Sequence, residues 1–154
     1  MNGEGLEASA LSFAPPKPNQ YASGSVLVGF WSTREVKKLL LPSLDSDKAL
    51  SLSFSQVPKS VVMHDFGLDA TRPRLQILVG FADGTSRSFE IREGKLHEKK
   101  VESLGDTPVS LTRCSVDGRS AILGVSSRTS LFFWENDTLC RSPVLVKVSP
   151  SPLK

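Results

Sequence analysis

Apolar residues in this chain fall in short runs, each broken by a polar turn before it is long enough to suggest a helix. Val26-Leu27-Val28-Gly29, Ile77-Leu78-Val79-Gly80 and Ala121-Ile122-Leu123-Gly124 are three such runs, each closed by a glycine, with the glycines 51 and 44 positions apart. Each leads through a short polar turn into a second strand-like run. Leu50, Leu52 and Phe54 alternate with serines, and Phe89 and Ile91 alternate with charged residues. That period of two belongs to half-buried β-strands.

The pattern predicts three groups of four strands. The first group covers 7–14, 25–31, 34–41 and a strand around Leu50 to Phe54, with a loop over 17–24 after Pro15-Pro16. Asp45 to Leu52 reads as strand rather than helix because its serines alternate with apolar residues. The second group covers 60–66, 74–81, 85–92 and 95–104, and the third 108–116, 119–126, 129–135 and 143–148. Asp83-Gly84 is the strongest hairpin signal, and Glu93-Gly94, Asp117-Gly118 and Asn136-Asp137 mark further turns.

A repeat of roughly 40–50 residues with several strands per period is the signature of propeller blades. The expected fold is therefore all-β: a partial β-propeller of about three four-stranded antiparallel blades, near 6–55, 57–105 and 107–148, between a disordered 1–5 and a flexible tail at 149–154. The second strand of each group is the most continuously apolar, as for a strand covered on both faces. The fourth is the most polar, as for an outer edge. The closing glycine lets backbone approach closely near the central channel. An open β-sandwich fits twelve strands in three similar sets less well. Three blades make an open arc with apolar faces at both ends, so we expect a fragment, a truncated product or a chain that folds only with a complement.

Composition narrows the function. The chain of 154 residues is 39% hydrophobic, and no run approaches the ~20 apolar residues of a membrane span. Residues 1–10 lack the features of a signal peptide. Cys114 and Cys140 lack metal-ligand spacing and are expected to pack as small apolar groups in a reducing compartment. A net charge of +3 is a mild excess, and Lys37-Lys38 and Lys99-Lys100 read as exposed strand-face or edge lysines that discourage edge pairing.

Chemistry is sparse. His64, in a predicted strand, reads as structural, and His97 as solvated. No phosphate loop, nucleophile elbow or telling carboxylate pair is present, so the chain is expected to be no enzyme and to need no metal, cofactor or small-molecule substrate. Asp83 and Asp117 are accounted for by turn geometry. Trp31, Phe81, Phe132, Phe133 and Trp134 are expected between blades, with one or two facing a partner at the rim. Asn136-Asp137-Thr138 matches a glycosylation sequon but reads as a turn. Ser142-Pro143, Ser149-Pro150 and Ser151-Pro152 are weak proline-directed phosphorylation signals.

Four blocks carry a resemblance: VLVGFWSTREVKKLLLPSL at Val26 to Leu44, VPKSVVM at Val57 to Met63, LVGFADGTSRSFEI at Leu78 to Ile91 and GKLHEKKVESLGDTPVSL at Gly94 to Leu111. Together they resemble the superfamily of the UV-damaged-DNA-binding large subunit, the largest cleavage and polyadenylation specificity factor subunit and a large splicing-factor subunit. The likeness covers roughly 6–148 and points to consecutive blades of the second of three seven-bladed propellers. It implies a non-catalytic scaffold, part of an adaptor of a cullin-based nuclear ubiquitin ligase acting in the DNA damage response. Its partners would be a cullin or other propellers of a longer chain, with nucleic acid reached through the complex. The place of action would be the nucleus, with the cytoplasm as an alternative. The competing reading is a nucleic-acid-binding subunit in messenger RNA 3′-end processing or splicing. No partner-binding residues carry over one by one.

Overall fold

The computed structural model describes residues 7–16, 22–67 and 74–145, and among these there is no helix. Twelve strands follow in order: β1 (Ala8–Phe13), β2 (Ser25–Phe30), β3 (Glu35–Leu40), β4 (Ser46–Ser53), β5 (Pro58–Asp65), β6 (Leu75–Phe81), β7 (Thr85–Arg92), β8 (Lys95–Ser103), β9 (Ser110–Val116), β10 (Arg119–Val125), β11 (Thr129–Glu135) and β12 (Thr138–Pro143). They form three antiparallel sheets, β1-β2-β3-β4, β5-β6-β7-β8 and β9-β10-β11-β12, with no strand exchanged between them. This is the fan of a partial propeller and not a two-layer sandwich. The inner strand β5 packs on both β1 and β9, while the outer strands β4 and β8 meet only marginally.

Two apolar layers hold the fan together. Between the first and second blades, Leu27 and Val36 meet Val61, Met63, Ile77, Val79 and Phe89. Between the second and third, Val62 and Leu78 meet Leu111, Ile122, Phe132 and Leu139. β6 contributes to both layers, because alternate side chains leave opposite faces of a strand. Ile77 and Val79 point back to the first blade and Leu78 forward to the third, which explains why this strand is buried almost throughout. β8 is exposed along most of its length, as an outer strand should be.

Local turn chemistry sets the hairpins. Glu93-Gly94, Asp117-Gly118 and Asn136-Asp137 all have positive φ at both positions, the mirror-image turn that matches strand twist in two-residue hairpins. The Asn136-Asp137 turn also corrects the sequence expectation for the last strand. A two-residue loop leaves no slack, so β12 starts at Thr138 opposite Glu135 and ends at Pro143, instead of running over 143–148. The tighter placement wins although 143–148 is the more apolar stretch. The parts of the expectations that concern 1–6, 17–21, 68–73 and 146–154, including the disordered 1–5 and the whole tail at 149–154, lie outside the described residues.

The three glycines are not equivalent. A Cβ on Gly29 would sit 3.0 Å from Pro58, and one on Gly80 would sit 2.7 Å from Val109, so both face the blade that follows. A Cβ on Gly124 would meet Leu104 at 2.9 Å, on the blade before. Pairing gives the reason. Ile77 opposes Phe89 and Ile122 opposes Phe132, and both pairs face the preceding blade. Three residues beyond them stand Gly80 and Val125, so the third glycine is one position out of frame. A one-residue offset turns a side chain to the other face.

Across the inner strands, Arg113 on β9 donates from one guanidinium nitrogen to Met63 O on β5 at 2.5 Å and to Phe13 O on β1 at 2.6 Å. Ser12 Oγ, 3.3 Å away, also accepts the N–H of Met63. One side chain thereby ties all three blades. His64 lies beside this tie, edge-on to Phe66 with ring centroids 4.7 Å apart. It occupies the structural role expected of it. Burial lowers its pKa below 6.5, Arg113 pushes the same way and Asp65 opposes.

Two outcomes follow. Gly80→Ala forces a methyl against Val109 and Ser60 and is expected to cost about 1–3 kcal/mol, read as a lower urea midpoint. His64 is neutral in the fold, so its contribution to stability is complete above pH 6.5 and is lost as pH falls from there toward its lowered folded value. The urea midpoint should drop between about pH 7.5 and about pH 5.5, and His64→Phe should flatten that slope.

Candidate protein-interaction surface

One end of the fan gathers the β2–β3, β6–β7 and β10–β11 turns together with the linkers that pass from blade to blade. Each linker is held by the turns on either side. In the first linker, Phe54 N–H donates to Arg34 O at 2.9 Å, and the Arg34 guanidinium donates to Ser55 O at 2.8 Å. Gln56 Nε2 then donates to Asp83 Oδ2 on the next turn at 2.7 Å. In the second linker, Leu104 N–H donates to Gly84 O at 2.8 Å. Thr107 N–H donates to Ser126 Oγ at 3.2 Å, and that hydroxyl donates to Thr107 O at 2.6 Å. Asp106 N–H donates to Ser127 Oγ at 3.1 Å. The rim is therefore a set of loops pinned to rigid hairpins, the usual way a scaffold presents binding residues.

Asp83 is the pivot of the first latch. Its Oδ1 accepts from the Thr85 amide at 2.9 Å and the Thr85 hydroxyl at 2.6 Å. Desolvation works to raise its pKa, but the hydrogen bonds from Thr85 and Gln56 outweigh it and hold the carboxyl below its ordinary value. Asp83 was expected to serve turn geometry alone. It does so, and it also clasps the neighbouring linker.

Trp31 stands on this rim, where the β2–β3 turn begins. Its backbone N–H is anchored to Glu7 O at 3.0 Å, yet its side chain is 51% exposed. Lys59, at the start of β5, places its Nζ 4.1 Å from the indole centroid. The other aromatics singled out in the sequence go elsewhere. Phe81 and Phe132 are buried between blades, and Phe133 and Trp134 are half-buried. Trp134 stacks on Phe66 at 6.3 Å.

An exposed indole on a pinned loop end of a blade stack suits protein contact better than catalysis, and the sequence places the stack in a known lineage. Residues 6–153 match the family described as RSE1/DDB1/CPSF1 second beta-propeller. The chain belongs to this family. It is 29% identical over 143 residues to DNA damage-binding protein 1 of Oryza sativa subsp. japonica, covering 92% of this chain and 13% of that protein. DNA damage-binding protein 1b of Arabidopsis thaliana is 28% identical over 144 residues, with the same coverage. Chromatin modification-related protein rik1 of Schizosaccharomyces pombe is 23% identical over 142 residues, covering 90% of this chain and 12% of that protein. The chain thus spans about an eighth of the length of these curated relatives, and its three sheets are blades of a second-propeller domain.

Within that frame Lys99 and Lys100 are exposed on the edge strand β8, as expected, and Lys37 and Lys38 lie on the face of β3, the third strand of its sheet with β4 outside it; all four also make polar contacts. Lys37 pairs with Glu35 at 3.3 Å and Lys38 with Asp47 at 3.6 Å. Lys99 pairs with Glu90 at 2.9 Å. Lys100 crosses to the third blade and donates to Leu139 O at 2.9 Å. Cys114 and Cys140 are free and half-buried. No group of three or more His, Cys, Asp or Glu that could hold a metal occurs among the described residues. Sequence reasoning missed Lys59, Gln56 and Arg113, whose roles depend on partners far along the chain.

Asp83→Ala removes both the turn bonds and the Gln56 clasp. With three hydrogen bonds lost, each worth ~0.5–1.5 kcal/mol and at the low end on an exposed rim, it should cost about 2 kcal/mol, and it should speed amide exchange at the rim linkers without changing far-ultraviolet circular dichroism.

Proposed function

We propose that this chain is a non-catalytic interaction module whose pinned rim presents Trp31 and Lys59 to a partner protein. The observation that carries the reading is the exposed Trp31 side chain on a backbone held at both ends of its turn. Rigid exposed aromatics are the side chains that most often dominate binding energy at protein interfaces. Relatives named for binding damaged DNA support a setting in the response to DNA damage. Beyond what those names say, we take the partner to be a cullin scaffold or another propeller and the chain to be part of a nuclear ubiquitin-ligase adaptor. Nucleic acid is reached through the assembled complex.

The test is capture of a cullin N-terminal domain by the immobilised chain, compared with Trp31→Ala. Loss of the indole should weaken capture at least tenfold and leave the thermal midpoint within about 2 °C, because an exposed side chain contributes little to stability. Equal capture by both forms sinks the rim assignment. If the chain ignores the cullin but binds single-stranded RNA with affinity that falls steeply with salt, the messenger RNA processing reading takes its place.

A further inference from the structure

The outer halves of the second and third blades do not close on one another. A cleft of about 150 Å³ remains between them, lined by Gln76, Ser88, Glu90, Lys99, Trp134 and Leu139 among others. Its floor is unusual. Gln76 is 1% exposed and Ser88 5% exposed, yet among the described residues neither Gln76 Nε2 nor Ser88 Oγ has a hydrogen-bond partner. Gln76 is also the one polar side chain between Leu75 and Gly80 on an otherwise apolar strand. A buried amide donor without an acceptor is rare in a folded protein and calls for a missing partner.

The surroundings define that partner. The unmet group on Gln76 is a donor, so the occupant brings an acceptor. At the mouth, Glu90 is already neutralised by Lys99 at 2.9 Å and Arg92 at 3.0 Å, so two cations face one carboxylate. The hydrogen bond and charge of Lys99, partly opposed by desolvation, hold the Glu90 carboxyl below its ordinary value. Asp137 at the rim of the cleft is engaged by Arg74 at 3.5 Å. The balance favours an anion. Trp134 and Leu139 add an apolar wall suited to methylene groups. The volume is well short of the ~300–1,000 Å³ of a small-molecule pocket and matches one inserted side chain.

We propose that this cleft receives a glutamate side chain from an acidic segment of a partner protein, with the Gln76 amide and the Ser88 hydroxyl donating to its carboxylate and Lys99 and Arg92 supplying counter-charge. The site lies apart from the Trp31 rim, so the two stand or fall separately.

The test titrates the full 15N-labelled chain with an acetylated, amidated pentaglutamate peptide. The side-chain NH2 signals of Gln76 should shift and saturate. Gln76→Met, which keeps size but removes the donor, and Lys99→Gln, on the exposed mouth, should each weaken binding at least fivefold. Lys99→Gln should also flatten the salt dependence, and Trp31→Ala should bind the peptide like the unaltered chain. If Gln76→Met does not fold, the Gln76 signals of the unaltered chain and the Lys99→Gln titration decide. The proposal is overturned by a lack of saturation, by equal binding of pentaglutamine, by undiminished binding in folded Gln76→Met, or by a response to inorganic phosphate and none to the peptide.

Discussion

A four-stranded sheet of this size has two faces and no means of covering both, so each blade depends on its neighbour for burial. β6 shows the constraint most directly. Its Ile77 and Val79 complete the core of the first interface, and its Leu78 completes the second. The inner strands run close enough for Arg113 to reach carbonyls on two other blades, and the outer strands splay. Face-to-face burial sets the fan, and the remaining polar contacts are arranged around it.

The rim and the cleft are two different results of that splay. At the end where the linkers cross, hydrogen bonds among Arg34, Ser55, Gln56, Asp83, Thr107 and Ser126 close the gaps between hairpins, and the surface becomes firm enough to present an indole. At the outer side, Lys100 and Arg141 bridge the blades through Leu139 O and Ser103 O, but the space beside them stays open. Wedge-shaped interfaces are tight near the axis and loose at the circumference. Gln76 and Ser88 border that open space without hydrogen-bond partners among the described residues, as do Ser9 and His64 on the inner strands.

Much of the fold was legible because its signals are local. Period-two alternation, the glycine-bearing turns and the apolar second strands can be read within ten residues, and they gave the strand count and the order of the sheets. The errors arose where two local signals competed. Val144 and Leu145 look more strand-like than Thr138 to Ser142, yet the two-residue turn at Asn136-Asp137 leaves β12 no other starting point. The lysine pairs were legible as exposed strand-face or edge residues, Lys99 and Lys100 on the edge strand β8, but their partners Glu35, Asp47, Glu90 and Leu139 were not. The site was less legible for the same reason. Gln56 meets Asp83, and Thr107 meets Ser126, only after blades have stacked, and nothing at Lys59 indicates that Trp31 lies beneath its ammonium. Gln76 did carry a readable signal: a lone amide in an apolar strand.

The out-of-frame glycine in the third sheet bears on the pitch of the arc. Where the first two sheets offer bare Cα atoms, at Gly29 and Gly80, the layer ahead can settle almost onto the main chain. The corresponding place in the third sheet holds Val125, 39% exposed, and its branched side chain acts as a spacer. Any layer that stacks there stands off by the thickness of those methyl groups, so the angular step on that side is set by a side chain, and trimming it would change the step rather than the sheet.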